Sequence, residues 1–414
     1  MIFHIDFHID YRKDGDFMKA LQATEHIWWV GALDPDLRVF DIVMHSDHGT
    51  SYNSYLLRGG KKTALFETVK DKFFDEHLEK IRQVMDPAEI DYIVVDHTEP
   101  DHSGSVARML EIAPNATVLG TQTALSFLQE IVNKPFPCQA VTEKDKIDLG
   151  GLTLRFIQVP MLHWPDSMYT YCPEEKALFS CDSFGCHYSD ERVFNDLMDG
   201  DFTEAYKYYF DNIIGPYKNP HMLGALKKIE NLDIQFIGNG HGPVLRRDIP
   251  KYLEMYRTWS QPEAKKEPMA AICYVSAYGY TRQLAENIAQ GIREGGVSDV
   301  RMFDLVTDDK QEAFQAIVQS DGFLLGSPTL IGDALPPVYE MLLGLNPVIH
   351  RGKVAGAFGS FAWSGEAVPN LMERLKSLRF KLPLPGLRVK LNPTEEDLAN
   401  AREMGKEFAQ ALKK

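Results

Sequence analysis

Residues 90–102 read I-D-Y-I-V-V-D-H-T-E-P-D-H, an apolar run that ends in a cluster of metal-binding side chains. The β-branched residues from Ile90 to Val95 predict a buried strand, and the polar residues follow on the loop at its C-terminal end. Pro100 favours a turn that brings the ligand atoms towards one another. The four potential ligands on this loop are His97, Glu99, Asp101 and His102. Imidazole nitrogens and carboxylate oxygens at this spacing indicate a site for a divalent metal ion.

Three further ligand-type residues, His163, Asp182 and His241, occur where other strand-like segments end. Each alone is more often a turn cap or a partner of the backbone. Together the seven side chains suffice for two adjacent metal positions, each with two histidines and one terminal carboxylate, and with Asp182 between them. Nitrogen and oxygen donors favour iron or manganese over a thiolate-rich zinc site. The remaining histidines are interpreted as surface or core residues: His4, His8, His45, His48 and His187.

The segments around these ligands predict a mixed α/β domain. The strand-like runs are His26 to Val30, Thr63 to Val69, Asp91 to Val95, Ala116 to Gly120 and Leu152 to Val159, and Phe73 to Met85 has helical spacing. A short polar stretch with two prolines lies between Trp259 and Met269 and predicts a linker. We therefore expect an N-terminal extension without fold (1–17), a metal-binding domain (18–260), a linker (261–268) and a second domain (269–414).

The second domain shows regular alternation of strands and helices. Predicted strands are Ala270 to Val275, Asp299 to Leu305, Gly322 to Leu325 and Lys353 to Phe358, and predicted helices are Thr281 to Arg293, Asp309 to Val318 and Pro336 to Leu345. Repeated βα units predict a doubly wound parallel sheet.

A loop after the first of these strands carries small and hydroxylated residues at the start of a helix: Ser276, Tyr278, Gly279, Tyr280 and Thr281. Such a helix N-terminus can bind a monophosphate, although ordinary helix capping is the commoner reading of such a loop alone. Two later loops lie at the same edge of the predicted sheet, and their candidate residues are Pro328, Thr329, Ser360, Phe361, Trp363, Ser364 and Gly365. Glycines and aromatic rings suit a flat ring system. The alternative for Trp363 is a core position.

Composition excludes several classes of protein. The formal charge is −15 over 414 residues, which disfavours nucleic acid and anionic membranes as partners. The longest apolar runs are far too short to span a membrane, and Met1 to Asp16 lacks the features of a secretory signal, so we expect a soluble cytoplasmic protein. The five cysteines form no C-x-x-C pair and are interpreted as reduced, mostly buried thiols.

The ligand pattern His97-x-Glu99-x-Asp101-His102, with His163, Asp182 and His241, resembles that of the flavodiiron proteins, also called A-type flavoproteins. The resemblance extends from about Met18 to the C-terminus. It implies a metallo-β-lactamase-like αββα domain followed by a flavodoxin-like domain that binds FMN. By this analogy His97, Glu99 and His163 hold one iron, and Asp101, His102 and His241 hold the other, with Asp182 bridging. Tyr278 stands where flavodoxins usually have Thr or Ser, so the resemblance does not establish a contact between its side chain and the phosphate.

The resemblance further implies an oxidoreductase that passes electrons through FMN to a diiron centre. Such an enzyme reduces dioxygen to water, nitric oxide to nitrous oxide, or both, because both gases would use the same ligands. An external electron donor is implied, with rubredoxin as the usual family partner, and so is a head-to-tail homodimer or a dimer of such dimers. One of three tyrosines would supply a hydrogen bond to the metal site: Tyr208, Tyr209 or Tyr217. The alternatives are a dinuclear zinc hydrolase fused to a flavodoxin-like module and an electron-transfer module with a structural metal.

Overall fold

The computed structural model describes residues 19–41, 44–262 and 267–413, and the chain divides into two compact units after Pro262. The division falls within the predicted linker 261–268. The predicted extension, residues 1–17, lies outside the described residues.

The first unit contains short strands and seven α-helices in its described part. The strands are β1 (Leu21–Gln22), β2 (Ile27–Trp29), β3 (Ala32–Asp34), β4 (Val39–Phe40), β5 (Met44–His45), β6 (Thr50–Tyr52), β7 (Tyr55–Arg58), β8 (Thr63–Phe66), β9 (Tyr92–Val94), β10 (Thr117–Gly120), β11 (Cys138–Ala140), β12 (Lys146–Asp148), β13 (Thr153–Gln158), β14 (Met168–Cys172), β15 (Ala177–Cys181) and β16 (Phe236–Asn239). The helices are α1 (Phe74–Val84), α2 (Pro100–Ser103), α3 (Val106–Ile112), α4 (Gln122–Val132), α5 (Thr203–Tyr209), α6 (Leu223–Ile229) and α7 (Ile249–Ser260). Single turns of 3-10 helix span Asp71–Phe73, Pro87–Glu89 and Gly215–Tyr217, and π-helical turns span Phe210–Ile214 and Lys218–Met222.

Two large sheets pack face to face in this unit. Their strand orders are β1-β2-β7-β8-β9-β10-β11 and β12-β13-β14-β15-β16. Phe66 of β8 stacks on Phe179 of β15 with ring centroids 3.7 Å apart, within an apolar core between the sheets. Helices α1, α3 and α4 cover the outer face of the first sheet, and α5, α6 and α7 cover that of the second. This layering is the αββα architecture that the resemblance implies.

The strand directions bring the ligand-bearing loops to one edge of each sheet. Strands β8, β9 and β10 are parallel, so the segment His97–His102 leaves the same edge as the neighbouring strand ends. Strands β15 and β16 are also parallel, and they are followed by Asp182 and His241. Loops at the C-terminal ends of parallel strands converge, which is why residues distant in sequence meet in space.

The second unit is a single parallel sheet between helices. Its strands are β17 (Met269–Tyr274), β18 (Asp299–Asp304), β19 (Gly322–Gly326), β20 (Val354–Phe361) and β21 (Leu387–Lys390), and its helices are α8 (Tyr280–Glu294), α9 (Lys310–Gln319), α10 (Pro336–Leu343), α11 (Ala367–Ser377) and α12 (Glu395–Leu412). The strand order is β18-β17-β19-β20-β21, the doubly wound order 2-1-3-4-5. Two apolar cores lie on the two faces of the sheet.

Helices α8 and α12 approach closely through two glycines. A Cβ atom added at Gly291 would lie 1.9 Å from the carbonyl oxygen of Arg402, and one at Gly405 would lie 2.2 Å from that of Ile288. We therefore expect Gly291→Ala to lower the thermal midpoint of the second unit, because overpacking costs about 1–3 kcal/mol. Alanine would otherwise favour the helix by about 1 kcal/mol. Gln290→Ala, at an exposed neighbour on α8, is the control, and equal midpoints for the two variants would contradict the close approach.

Candidate metal centre and cofactor loops

The seven predicted ligands come together in two adjacent groups of side chains. His97, Glu99, His163 and Asp182 form the first group, and their ligand atoms all lie within 4.8 Å of one another. Nε2 of His163 lies 2.9 Å from Glu99 Oε2 and 3.0 Å from Asp182 Oδ2. Nε2 of His97 lies 3.3 Å and 3.4 Å from the same two oxygens.

Asp101, His102 and His241 form the second group, again within 4.8 Å. Nε2 of His241 lies 3.1 Å from Asp101 Oδ2, and Nε2 of His102 lies 3.6 Å from Asp101 Oδ1. Oδ1 of Asp182 lies 2.9 Å from His102 Nε2 and 3.5 Å from His241 Nε2. One oxygen of Asp182 therefore faces each group, which is the arrangement that a bridging carboxylate requires.

The electrostatics of this cluster favour positive charge at its centre. Burial by itself would raise the pKa of the Asp182 carboxyl, but attraction and a hydrogen bond to His102 hold it well below its usual range. Burial likewise opposes ionisation of Glu99, while hydrogen bonds to His163 and His97 lower its pKa overall. Burial would lower the pKa of His163, but hydrogen bonds to Asp182 and Glu99 raise it to about 9. In the metal-free chain, protonated imidazoles therefore balance the negative charge of the buried carboxylates.

A second observation points to metal ions as the natural occupants. The Asp101 carboxylate is buried, and neither of its oxygens accepts a hydrogen bond, although His241 Nε2 lies 3.1 Å from Oδ2. A buried carboxylate is costly unless a positive charge compensates it, and a bound metal ion would do so at this place. The nearby Cys181 thiol is a poor competitor, because burial raises its pKa well above the usual range and keeps it protonated. The donor set is thus imidazole and carboxylate, which fits iron.

Several residues that orient the ligands were not singled out from the sequence. The carboxylate of Asp166 is buried and lies 3.4 Å from His97 Nδ1, and it accepts hydrogen bonds from Thr98 N and Thr98 Oγ1 at 2.8 and 2.7 Å. The backbone N–H of His97 donates to Glu67 Oε1 at 3.3 Å. Asp166 follows the ligand His163 by three residues in the sequence.

Asp166 gives a direct test of this orientation. We expect Asp166→Ala to weaken iron binding by about 10- to 100-fold, because the ring of His97 loses its orienting partner. The rate of iron release to a chelator measures the effect. The matched control is Asp145→Ala, since half-buried Asp145 accepts the same pair of hydrogen bonds from Thr142 N and Oγ1, at 2.8 and 2.7 Å, away from the cluster. Equal release rates for the two variants would contradict this role.

The three candidate tyrosines lie in different surroundings. Tyr209 is buried, and its ring centroid lies 6.1 Å from that of His241. Tyr208 is exposed, and the ring centroid of Tyr217 lies 6.4 Å from that of His221, which is not a predicted ligand. His187, which was interpreted from the sequence as a surface or core residue, is buried with its ring 5.1 Å from that of His241. The rings of Tyr209 and His187 thus both pack near the imidazole of His241.

The three candidate cofactor loops of the second unit are joined by hydrogen bonds. Thr281 Oγ1 lies 3.0 Å from Ser360 Oγ, and Thr329 N donates to the carbonyl oxygen of Ser360 at 2.8 Å. Ser276 Oγ accepts from Arg282 N at 3.2 Å in the first turn of α8. Gly279 at the start of this helix has a φ of +82°, which favours glycine. The loops therefore form one continuous surface at the C-terminal edge of the sheet.

The aromatic residues of these loops are available to a ligand. Trp363 is 88% exposed and Tyr278 is 77% exposed, so the core alternative for Trp363 is wrong. Phe361 and Tyr280 are half-buried, with the ring of Phe361 packed near Gly365, while Pro328 is buried and Ser364 is exposed. The start of a long helix beside exposed aromatic rings fits the phosphate and the flat ring of FMN.

The remaining sequence predictions concern cysteines and membrane spans. All five cysteines are free, with Cys138 exposed and the other four buried. Among the helices of the described ranges, none is long and apolar enough to cross a membrane.

Comparison with known proteins relates both units to families. Residues 50–242 match the model of the ODP family of beta-lactamases, and residues 272–405 match the flavodoxin model. The chain is 40% identical to the flavo-diiron protein FprA2 of Clostridium acetobutylicum, over 95% of this chain and 100% of that protein. It is 38% identical to a nitric oxide reductase of Moorella thermoacetica, over 94% and 98%. The solved rubredoxin oxygen:oxidoreductase of Desulfovibrio gigas is 30% identical and matches 95% of this chain and 99% of its own, with a TM-score of 0.69. The fold class predicted from the sequence is confirmed.

Proposed function

The chain belongs to the flavodiiron protein family, and from this premise we propose that it reduces dioxygen to water, nitric oxide to nitrous oxide, or both. Electrons would enter from an external one-electron carrier, pass through FMN in the second unit and reach a diiron centre in the first. The rubredoxin named for the Desulfovibrio gigas relative makes a rubredoxin-like carrier the proposed donor.

The observation that carries this proposal is the pair of ligand groups that share Asp182. His97, Glu99 and His163 would hold one iron through two nitrogens and one oxygen, and Asp101, His102 and His241 would hold the other in the same way. Iron bound here supplies reversible one-electron chemistry and open positions for a diatomic gas. The protein's own part is to fix the imidazoles, to balance the charge with three carboxylates, and to keep the ligands largely buried.

The donor set favours this function over hydrolysis by zinc. Glu99 places a hard anionic oxygen among the ligands of the first group, and such an oxygen stabilises the higher charge of oxidised iron. The three carboxylates of the cluster, Glu99, Asp101 and Asp182, all lie beside imidazole nitrogens, so they belong to the donor set of the metal positions.

The second unit, residues 269–414, would bind FMN, as the flavodoxin match supports. Ser276, Thr281 and the backbone at Gly279 and Tyr280 would hold its phosphate at the start of α8. Loops 328–329 and 360–365 would contact the ring system, with exposed Trp363 on its face. FMN moves electrons one at a time, so it can accept from a one-electron carrier and deliver to iron.

We further propose that the active species is a head-to-tail homodimer. The exposed aromatic side chains at the FMN loops provide an apolar surface that a second copy of the chain would cover. A two-fold axis pairs each FMN with the partner's metal cluster, and does so twice. Dimers of such dimers would keep the same pairing.

The function predicts a defined composition and reactivity. Purified from iron-replete cells, the protein is expected to contain about two irons and one FMN per chain, since there are two ligand groups and one set of cofactor loops. After anaerobic reduction, dioxygen or nitric oxide should reoxidise the FMN only when iron is present. Parallel turnover of the two gases with one reduced donor measures the preference between them. Stoichiometric zinc, or reoxidation at the same rate after iron removal, would contradict the proposal.

A further inference from the structure

Asn53 lies between β6 and β7, is fully buried, and uses all the hydrogen-bonding capacity of its side chain. Its Oδ1 accepts from Trp29 Nε1 and from Ser51 Oγ, each at 2.9 Å. Its Nδ2 donates to the carbonyl oxygen of Gly242 at 3.0 Å and to Asn239 Oδ1 at 3.2 Å. An indole N–H only donates and a carbonyl oxygen only accepts, so these partners fix which way the amide points.

The contacts of Asn53 lie on both sides of the ligand His241. The backbone N–H of Asn53 donates to the carbonyl oxygen of Gly240 at 2.9 Å, while its side chain holds that of Gly242. Gly242 has a φ of +76°, and a Cβ there would lie 2.4 Å from the carbonyl oxygen of Cys186, so this loop has little room to move.

The same segment also orients the imidazole itself. Nδ1 of His241 donates to the carbonyl oxygen of Ser51 at 2.6 Å, which leaves Nε2 directed at Asp101 Oδ2, 3.1 Å away. A hydrogen bond to one ring nitrogen fixes the tautomer that presents the other to a metal. Residues 51–53 therefore hold both the backbone and the ring of His241.

A second amide extends the network towards the shared carboxylate. Asn239 Nδ2 donates to the carbonyl oxygens of Phe184 and Pro243 at 2.8 and 3.0 Å, and Phe184 follows Asp182 by two residues. Paired amides thus connect the loop of His241 with the loop that begins at Asp182. The side chains of His97, Glu99 and His163 make polar contacts with one another, with Asp166 and with Asp182, and the backbone N–H of His97 donates to Glu67.

We propose that Asn53 is a positioning residue for one metal position only, that of Asp101, His102 and His241. Among the described residues, the hydrogen bonds of Asn53 go to Trp29, Ser51, Asn239, Gly240 and Gly242, and none goes to His97, Glu99 or His163. Loss of its side chain should therefore affect the two positions unequally. The inference rests on the proposed function only in that the natural metal is taken to be iron. The geometry concerns His241 and applies to any divalent ion bound there.

The test is Co²⁺ titration of the metal-free full-length chain, followed by visible absorption. Asn53→Asp keeps the size of the side chain but turns the donor towards Gly242 and Asn239 into an acceptor. The matched control is Asn195→Asp, because Asn195 is also buried and donates to the carbonyl oxygen of Arg247 at 2.8 Å while accepting from the backbone N–H groups of Arg246 and Arg247. Asn195 thus has the same chemistry at a loop without ligands.

We expect wild type and Asn195→Asp to bind two Co²⁺ ions per chain with the same affinities. Asn53→Asp should bind one ion normally and the other about 10- to 100-fold more weakly, with an altered Co²⁺ spectrum at that position only. The inference would be overturned if Asn53→Asp bound both ions with unchanged affinity, or if it bound both ions equally weakly. It would also be overturned if Asn195→Asp weakened binding as much as Asn53→Asp. If Asn53→Asp does not fold, Trp29→Phe decides by the same criteria, because it removes one donor to Asn53 and keeps an aromatic ring.

Failure of this inference is distinguishable from failure of the proposed function. A wild-type chain that is purified without iron, yet binds two Co²⁺ ions, refutes the iron-dependent function alone. A chain with two irons and turnover, but with no selective effect of Asn53→Asp, refutes the positioning role alone.

Discussion

Replacing Asp182 by alanine is expected to abolish gas reduction and to remove most of the iron while leaving FMN bound. The carboxylate of Asp182 lies within 3.5 Å of the Nε2 atoms of four histidines, so both metal positions depend on it. Without it, four imidazoles face one another with only Glu99 and Asp101 to balance a bound cation. Loss of a residue that only orients a metal ligand costs about 10- to 100-fold. Asp182 is itself a proposed ligand, so we expect turnover with either gas to fall by at least about 100-fold.

The measurement combines iron content, FMN absorbance and turnover on the same sample. Glu191→Ala is the matched control, because Glu191 is an exposed carboxylate a few residues further along the chain. The control should retain both cofactors and full turnover. A folded Asp182→Ala variant with two irons per chain would show that Asp182 does not belong to the metal site.

The ligands could be predicted from the sequence to different extents. His97, Glu99, Asp101 and His102 lie within one hexapeptide, so their spacing alone indicated a metal site. His163, Asp182 and His241 are isolated in sequence, and their membership depended on the strand ends that precede them and on the resemblance. The structure brings all seven together.

The residues behind the ligands could not be predicted in this way. Asp166, Glu67 and Asn53 are ordinary polar residues in sequence, and each acquires its role from a partner on another strand or loop. No short pattern encodes such a contact, because it depends on how the two sheets pack. The choice of Tyr209 over Tyr208 likewise needed burial, since neighbouring residues of one helix point in different directions.

Elements of the fold with a clear local sequence pattern were predicted, and most elements without such a pattern were missed. The elements from β17 to β20 were predicted with ends close to those observed, because each strand has buried residues and each helix has one apolar face. The short strands β3 to β6 were missed, since two or three residues cannot show a period. Helix α12 was also missed, although Thr394 and Asp397 form a capping box that the sequence displays.

The mixture of two inactive variants is expected to recover activity if electrons pass between chains. Asp182→Ala should retain FMN but lack the metal centre. Ser276→Asp should retain the metal centre but lose FMN, because a carboxylate in the loop at the start of α8 repels the phosphate. Ser276 is suitable because its side chain is only half-buried, whereas Thr281 is fully buried against Ser360 and a bulky residue there would disturb the fold.

The expected recovery follows from the symmetry of the dimer. After random exchange of subunits, half of the dimers are mixed, and each mixed dimer has one of its two cofactor pairs complete, so turnover should reach about a quarter of the wild-type value. That complete pair is the FMN of the Asp182→Ala chain and the irons of its partner. Neither chain contains both cofactors, so electron transfer within one chain gives no recovery. Two different affinity tags establish that exchange has occurred, and wild-type chains carrying the same tags control for losses during mixing. If tagged mixed dimers are isolated with their cofactors and remain inactive, electron transfer between chains is excluded, and the functional argument for the head-to-tail dimer is lost.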